Sequence, residues 1–278
     1  MNKILVPTDF SIAARNAAIY AVNLANDIGA TVVLLHVYAV PIPIMDVPFV
    51  AISPDELHSE STKLLNKEAD FIKKHTNVNV EIIAKMGIIV DEILVEENHV
   101  SILVMGMKVS SKLSENLIGS ITTTILRKVK APLIVIPENS LYKKPEKIVF
   151  ACDYNSKTHV DTVQSLKKFS KIFDAKIYVL NIKQDKSVKI DKSLQAKLDS
   201  ELSELNHIYY FYDQVDLVQG INEFVNLHNV DMIAIIPHQY NLIEHLFHKS
   251  MSKKIAFHAH VPLIALPDTH VTNSGYLI

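Results

Sequence analysis

The chain has 278 residues, enough for one large or two ordinary domains, and its 49% apolar and 21% charged side chains fit a packed globular protein rather than a disordered one. A formal net charge of −2, with basic residues spread along the chain, gives no electrostatic footprint for nucleic acid. The single cysteine, Cys152, excludes an internal disulfide or a cysteine-built metal site, and with an N-terminus that enters a strand at once it points to the cytoplasm.

Lys3 to Thr8 is a short β-rich run. Ala14, Ala18, Ala21, Ala25 and Ile28 then recur at helical spacing until Gly29 stops the turn, and Val32 to Val37 is a second strand, completing a β-α-β unit. Val37 to Ile52 is the most lipid-like stretch. It is shorter than a spanning helix, carries Asp46 and is broken by three prolines, so it is expected to be not a membrane span but an apolar loop over a site or a partner-binding surface, weighed against an ordinary buried connection. A helix opens at "SPDE", where Ser53 caps, Pro54 suits the first helical position and Glu56 completes a capping box. Strand three is expected over Val78 to Ala84, with a short helix near Asp91 to Glu97. Strand four spans Ile102 to Met105, a helix runs from Ser120 to Val129, and strand five is Leu133 to Ile136. Strands alternating with helices imply a doubly wound parallel sheet covered on both faces, an α/β fold.

The pattern is written twice. "KILVPTD" (from Lys3) returns as "KIVFACD" (from Lys147), "ATVVLLHV" (from Ala30) as "AKIYVLNI" (from Ala175), "VSILVMG" (from Val100) as "VDMIAII" (from Val230), and "APLIVIP" (from Ala131) as "VPLIALP" (from Val261). Four matches in one order, at so long a period, make each copy a whole domain. The division is residues 1–137, a polar linker 138–146, a second domain 147–270 and a tail 271–278. The apolar Leu133 to Ile136 and Leu263 to Leu266 strands are expected at a shared edge, since a bare sheet edge invites aggregation.

In such sheets a ligand sits beyond the carboxyl ends of the strands, where strand order reverses. Those ends in the first copy are Pro7, Thr8 and Asp9, then Val37, then Met86 and Gly87, then Gly106. Gly119 and Ser120 open the last helix, whose unpaired amides favour an anion, with hydroxyls from Ser120, Thr122, Thr123 and Thr124 nearby. Phosphate is the natural candidate. Each part also has an ordinary structural role: Ser120 is a good helix N-cap, Gly119 a good loop residue, and Asp9 can cap the helix that starts near Ser11.

"ILVPTDFS", "LLHV", "VMG", the "GS" before the last helix and "PLIVIP" together resemble the universal stress protein family in its tandem form. The resemblance implies a five-stranded parallel fold in each domain, dimer-like pairing through the last strands, cytoplasmic stress roles and, in one branch of the family, ATP bound through G-x2-G-x9-G-[ST]. Gly106, Gly119 and Ser120 stand at positions of that pattern, with Val109 at the second glycine position, where a branched side chain restricts the backbone and crowds the phosphates. On the resemblance, Asp9 and Val37 carry the ribose and adenine side. The second copy has Ile236, Gln239 and Lys249 at the glycine positions and keeps only Ser250, so it is expected to serve as the pairing partner within an internal pseudo-dimer.

Eight of the thirteen histidines lie between His207 and His270, and His245, His248, His258 and His260 have spacings that share a helix or strand face. They are candidate zinc ligands, weighed against surface or interface histidines, and no established metal motif is present. Two functional classes follow: a stress protein that binds or senses ATP or AMP through the first domain, or a nucleotide-free interaction module, with homodimer formation open to either. Weak ATPase activity comes third, since no residue stands out to position an attacking water.

Overall fold

The computed structural model describes residues 2–39, 53–74, 76–108, 120–152, 163–183, 192–213, 217–236 and 261–266. The strands are β1 (Lys3–Pro7), β2 (Thr31–Tyr38), β3 (Val80–Met86), β4 (Ile102–Met107), β5 (Leu133–Pro137), β6 (Lys147–Ala151), β7 (Lys176–Lys183), β8 (His207–Asp213), β9 (Met232–Ile235) and β10 (Leu263–Ala265). The helices are α1 (Ile12–Ile28), α2 (Pro54–Lys73), α3 (Ile89–Glu96), α4 (Ser120–Lys128), α5 (Val163–Phe173), α6 (Lys192–Leu202) and α7 (Leu217–His228). All ten strands form one sheet, in the order β3-β2-β1-β4-β5-β10-β9-β6-β7-β8.

Every neighbouring pair is parallel except one. β5 and β10 run antiparallel, with Val135 opposite Leu263, Ile134 opposite Ile264 and Leu133 opposite Ala265. The two apolar terminal strands therefore lie side by side and close each other's open edge. Both faces of the sheet are covered. One core joins buried residues of α1, α2, α5 and α6, and the other joins Ile93 of α3, Ile125 and Leu126 of α4, and Ile221 and Phe224 of α7.

Local chemistry explains the elements. α1 starts at Ser11, whose hydroxyl accepts from the Ala14 amide, and ends at Gly29 in the left-handed region at φ 66°, with the Gly29 amide donating to Ala25 O. Its buried face is mostly alanine, which lets the helix lie close on the sheet. At Gly106 in β4 the approach is so close that a Cβ would stand 2.3 Å from the Ala13 carbonyl oxygen and 2.9 Å from the Ala14 amide nitrogen. The capping box at the start of α2 forms as expected, with Ser53 and Glu56 each accepting from the other's backbone amide.

The segment 138–146 is polar but tightly fixed. The Asn16 side-chain amide donates to Pro137 O (3.0 Å) and Ser140 O (2.9 Å). The Tyr142 hydroxyl donates to Asp27 Oδ2 at 2.5 Å while its ring packs edge-on to Tyr20. Lys143 reaches Asp231 Oδ1 at 2.6 Å, and Asp231 Oδ2 also accepts from the Glu146 and Lys147 amides. One end of this segment is thus bonded to α1 and the other to the residue preceding β9.

Most of the expected apolar loop, residues 40–52, lies outside the described residues, as do Val109, Gly119, His245, His248, His258, His260, Lys249, Ser250 and the tail 271–278. Among the described residues no helix is long and apolar enough to cross a membrane, and no group of three or more His, Cys, Asp or Glu side chains is placed to hold a metal ion.

Candidate functional site

Strand order reverses between β1 and β4, and there the strands part to leave a cavity of about 590 Å³, within the usual range for small-molecule sites. Its walls come from the carboxyl ends of β1, β2 and β4, the starts of α1 and α4, and one side of α3. Pro7, Thr8, Asp9, Val37, Gly106, Ser120 and Thr122 all line it.

The β1–α1 loop is held by a chain of local hydrogen bonds. The Thr8 amide donates to Leu35 O at 2.8 Å. Thr8 Oγ1 accepts from the Phe10 amide at 3.0 Å, and Asp9 Oδ1 accepts from the Ser11 amide at 3.0 Å. Phe10 sits at φ 61°, an uncommon conformation for a residue with a side chain, which turns the chain sharply enough to bring Asp9 and the start of α1 to the cavity. His36 Nδ1 lies 2.7 Å from Thr8 O; a carbonyl only accepts, so Nδ1 carries the proton. The imidazole also packs on Phe10 with ring centroids 4.5 Å apart. The Asp9 carboxylate is thus presented on a fixed loop with Oδ2 outside these local bonds.

The opposite wall is built from the start of α4. Ser120 and Thr122 occupy its first turn, where unpaired amides and the helix dipole favour an anion. Thr122 is only 5% exposed. Lys108, just past β4, and Glu138, just past β5, complete this end.

Met86 and Gly87 do not line the cavity. Strand β3 runs to Met86, which pairs with Tyr38, and the Gly87 amide donates to Tyr38 O, so both residues sit at the outermost strand, beyond β2. The following helix α3 returns to the cavity and contributes Ile89 and Ile93 instead. Gly106 does reach the cavity, and its lack of a side chain also serves packing, because α1 fills the space a Cβ would need. Sequence reasoning missed His36, Lys108 and Glu138. Lys108 lies inside the glycine pattern and was open to notice, whereas Glu138 enters only because β5 lies beside β4.

Comparisons with known proteins agree with this architecture. A model of the universal stress protein family matches residues 1–137. A universal stress protein of Methanocaldococcus jannaschii is 30% identical over 154 residues, which cover 52% of this chain and 84% of that protein. The crystal structure of a universal stress protein from Archaeoglobus fulgidus covers 96% of this chain and 98% of its own at a TM-score of 0.71, with 18% identity. A functionally unknown protein from Pseudomonas aeruginosa covers 98% of this chain and 94% of its own, with a TM-score of 0.56 and 11% identity. The last two share the fold, the first two extend the likeness to sequence, and the chain belongs to the universal stress protein family.

Proposed function

We propose that the chain is a cytoplasmic stress protein that binds an adenine nucleotide, ATP or AMP, in the cavity between β1 and β4, with residues 1–137 as the binding domain and residues 147–270 as its internal pseudo-dimer partner. The observation that carries this reading is the convergence of an acid on a fixed loop, Asp9, and a helix start, Ser120 and Thr122, on one cavity at the point of strand reversal. Asp9 Oδ2 accepts from a ribose hydroxyl. The end of β2 at Val37 borders the base, whose flat apolar faces suit Ile89, Ile93 and Met105. The phosphates lie toward the amides of α4.

Mass spectrometry of small molecules released from freshly purified protein, followed by isothermal titration with AMP and ATP, tests the reading. One nucleotide per chain is expected, with Ser120→Ala weakening it by about 1 kcal/mol through the lost hydroxyl. Two equivalent sites per chain, or no binding of either nucleotide, would sink it. The alternative is a nucleotide-free interaction module. Val109 at a glycine position favours it, as does Ile12, 74% exposed at the cavity wall, which suits an apolar partner.

A further inference from the structure

The sheet has two outer edges, and they are built differently. β3 carries a charged residue toward each end, Glu81 bonded to Lys3 at 2.6 Å and Lys85 paired with Glu92 and Glu96. Charges of this kind discourage a further strand from adding at an edge. β8, at the far end of the sheet, reads HIYYFYD, with no lysine, proline or glycine and its one carboxylate at the last position. Ile208 is 39% and Phe211 44% exposed.

Tyr210 and Tyr212 pack against the core under α7, and Tyr209 against the core under α5 and α6. By alternation Ile208 stands on the first face and Phe211 on the second, so the edge is apolar on both sides. Its backbone has a phase as well. The Ile177 amide donates to Asn206 O, and Ile177 lies beside His207, so the even-numbered residues of β8 direct their amides and carbonyls to β7 and the odd-numbered ones outward.

This phase and this sequence fit one occupant, a second copy of the same strand. A two-fold axis through Tyr210, perpendicular to the sheet, sets His207 against Asp213, Ile208 against Tyr212 and Tyr209 against Phe211. Outward-facing residues then meet outward-facing residues, which is the hydrogen-bonded pair of an antiparallel ladder, and Tyr210 meets its own copy in the closer, non-bonded pair. Each exposed apolar residue falls opposite an aromatic one on its own face, and the acid falls opposite a histidine rather than opposite itself. Antiparallel addition is also how this sheet already grows, at β5 and β10. We propose that β8 is a self-association edge, and that two chains join by antiparallel β8–β8 pairing about Tyr210 to continue the sheet across a homodimer.

Sedimentation equilibrium of the full chain without added nucleotide tests this. At about 100 μM the wild type runs at twice the chain mass, and Phe211→Lys or Ile208→Lys, each setting an ammonium against an aromatic edge, raises the dissociation constant about tenfold or more. Met86→Lys, on the opposite edge, leaves the dimer intact. Tyr210→Cys forms a disulfide with its own copy on mild oxidation, as the close pair at the axis allows, whereas the buried Cys152 forms none in the wild type. Circular dichroism melts verify that each variant is folded, and any one of the three β8 substitutions suffices if the others fail to fold. A wild-type monomer at that concentration, which would leave the edge to a strand of another protein, overturns the proposal. So does a dimer that both β8 lysine substitutions leave intact, or one that only Met86→Lys dissociates.

Discussion

Asn181 donates its side-chain amide to the Cys152 carbonyl at 2.8 Å, in the place where the first copy sets His36 Nδ1 against the Thr8 carbonyl at 2.7 Å. The repeated strands align Thr8 with Cys152 and His36 with Asn181, so the duplication extends to a specific side-chain bond tying the second strand of each copy to the loop after the first. Asn181 is 4% exposed, and its Oδ1 has no partner. Replacing Asn181 by Ala leaves the buried Cys152 carbonyl without this donor and is expected to cost about 1–3 kcal/mol in urea unfolding. A loss below a few tenths would show that the bond is incidental.

Gly106→Ala tests the seating of α1. The added methyl group would press on the Ala13 carbonyl and the Ala14 amide, which are backbone atoms of a helix and cannot swing aside as a side chain could. A loss of about 2–3 kcal/mol is expected, read as a lowered unfolding midpoint with little change in its denaturant slope. Because Gly106 also borders the cavity, nucleotide affinity should fall with stability.

Arg15 and Glu68 form a two-pronged pair joining α1 to α2, with Arg15 Nε at 2.8 Å and Nη2 at 2.6 Å from the carboxylate oxygens. The Glu68 side chain is 3% exposed, whereas Arg15 keeps contact with solvent and stacks on Phe71. The hydrogen bond to Glu68 raises the Arg15 pKa, and burial opposes it. Arg15→Met should cost about 2–3 kcal/mol, somewhat under the figure for a fully buried pair. The double change Arg15→Met with Glu68→Leu should recover much of that loss, which a double-mutant cycle measures.

Glu97 supplies a pH-dependent signature. Burial pushes its carboxyl pKa up, and hydrogen bonds from the Lys130 and Ala131 amides pull the other way. The folded state therefore holds this proton more tightly than the unfolded state. The contribution favours folding below the unfolded pKa and is lost as pH rises through the raised folded value. Glu97→Gln should accordingly raise the melting temperature at neutral pH, with the gain shrinking as the pH falls toward about 4. A constant difference from pH 4 to 7 would contradict this.

Periodicity revealed the order of elements in the first copy because apolar side chains alternate at two or 3.6 residues wherever one face is buried. The expected start of β3 was early by two residues. Val78, Val80 and Ile82 alternate, but the Val78 amide bonds to Thr76 Oγ1 in a local turn, and strand pairing begins only at Val80. Met86 and Gly87 stand away from the cavity because β3 is the outermost strand, a placement that chain order alone does not give. Asp9, Val37, Ser120 and Thr122 were legible because strand ends and helix starts follow from chain order alone. Glu138 was not, because its approach to Lys108 depends on which strands are neighbours, and a polar residue after the last strand reads as linker.

The single antiparallel pairing of β5 with β10 gives the molecule two opposite rims. The strands of each copy are parallel among themselves, so β1, β2 and β4 end on one rim while β6, β7 and β9 end on the other. Two bodies gripping these rims would not compete for space. They would communicate through segment 138–146, bonded to α1 at one end and to Asp231 at the other, and through the paired residues Leu133 to Val135 and Leu263 to Ala265. A slip of one residue there would turn buried apolar side chains toward the wrong core, so the seam passes on tilt and twist rather than sliding. By thermodynamic linkage, whatever tilt one visitor favours must alter the other's grip by an equal free energy in return.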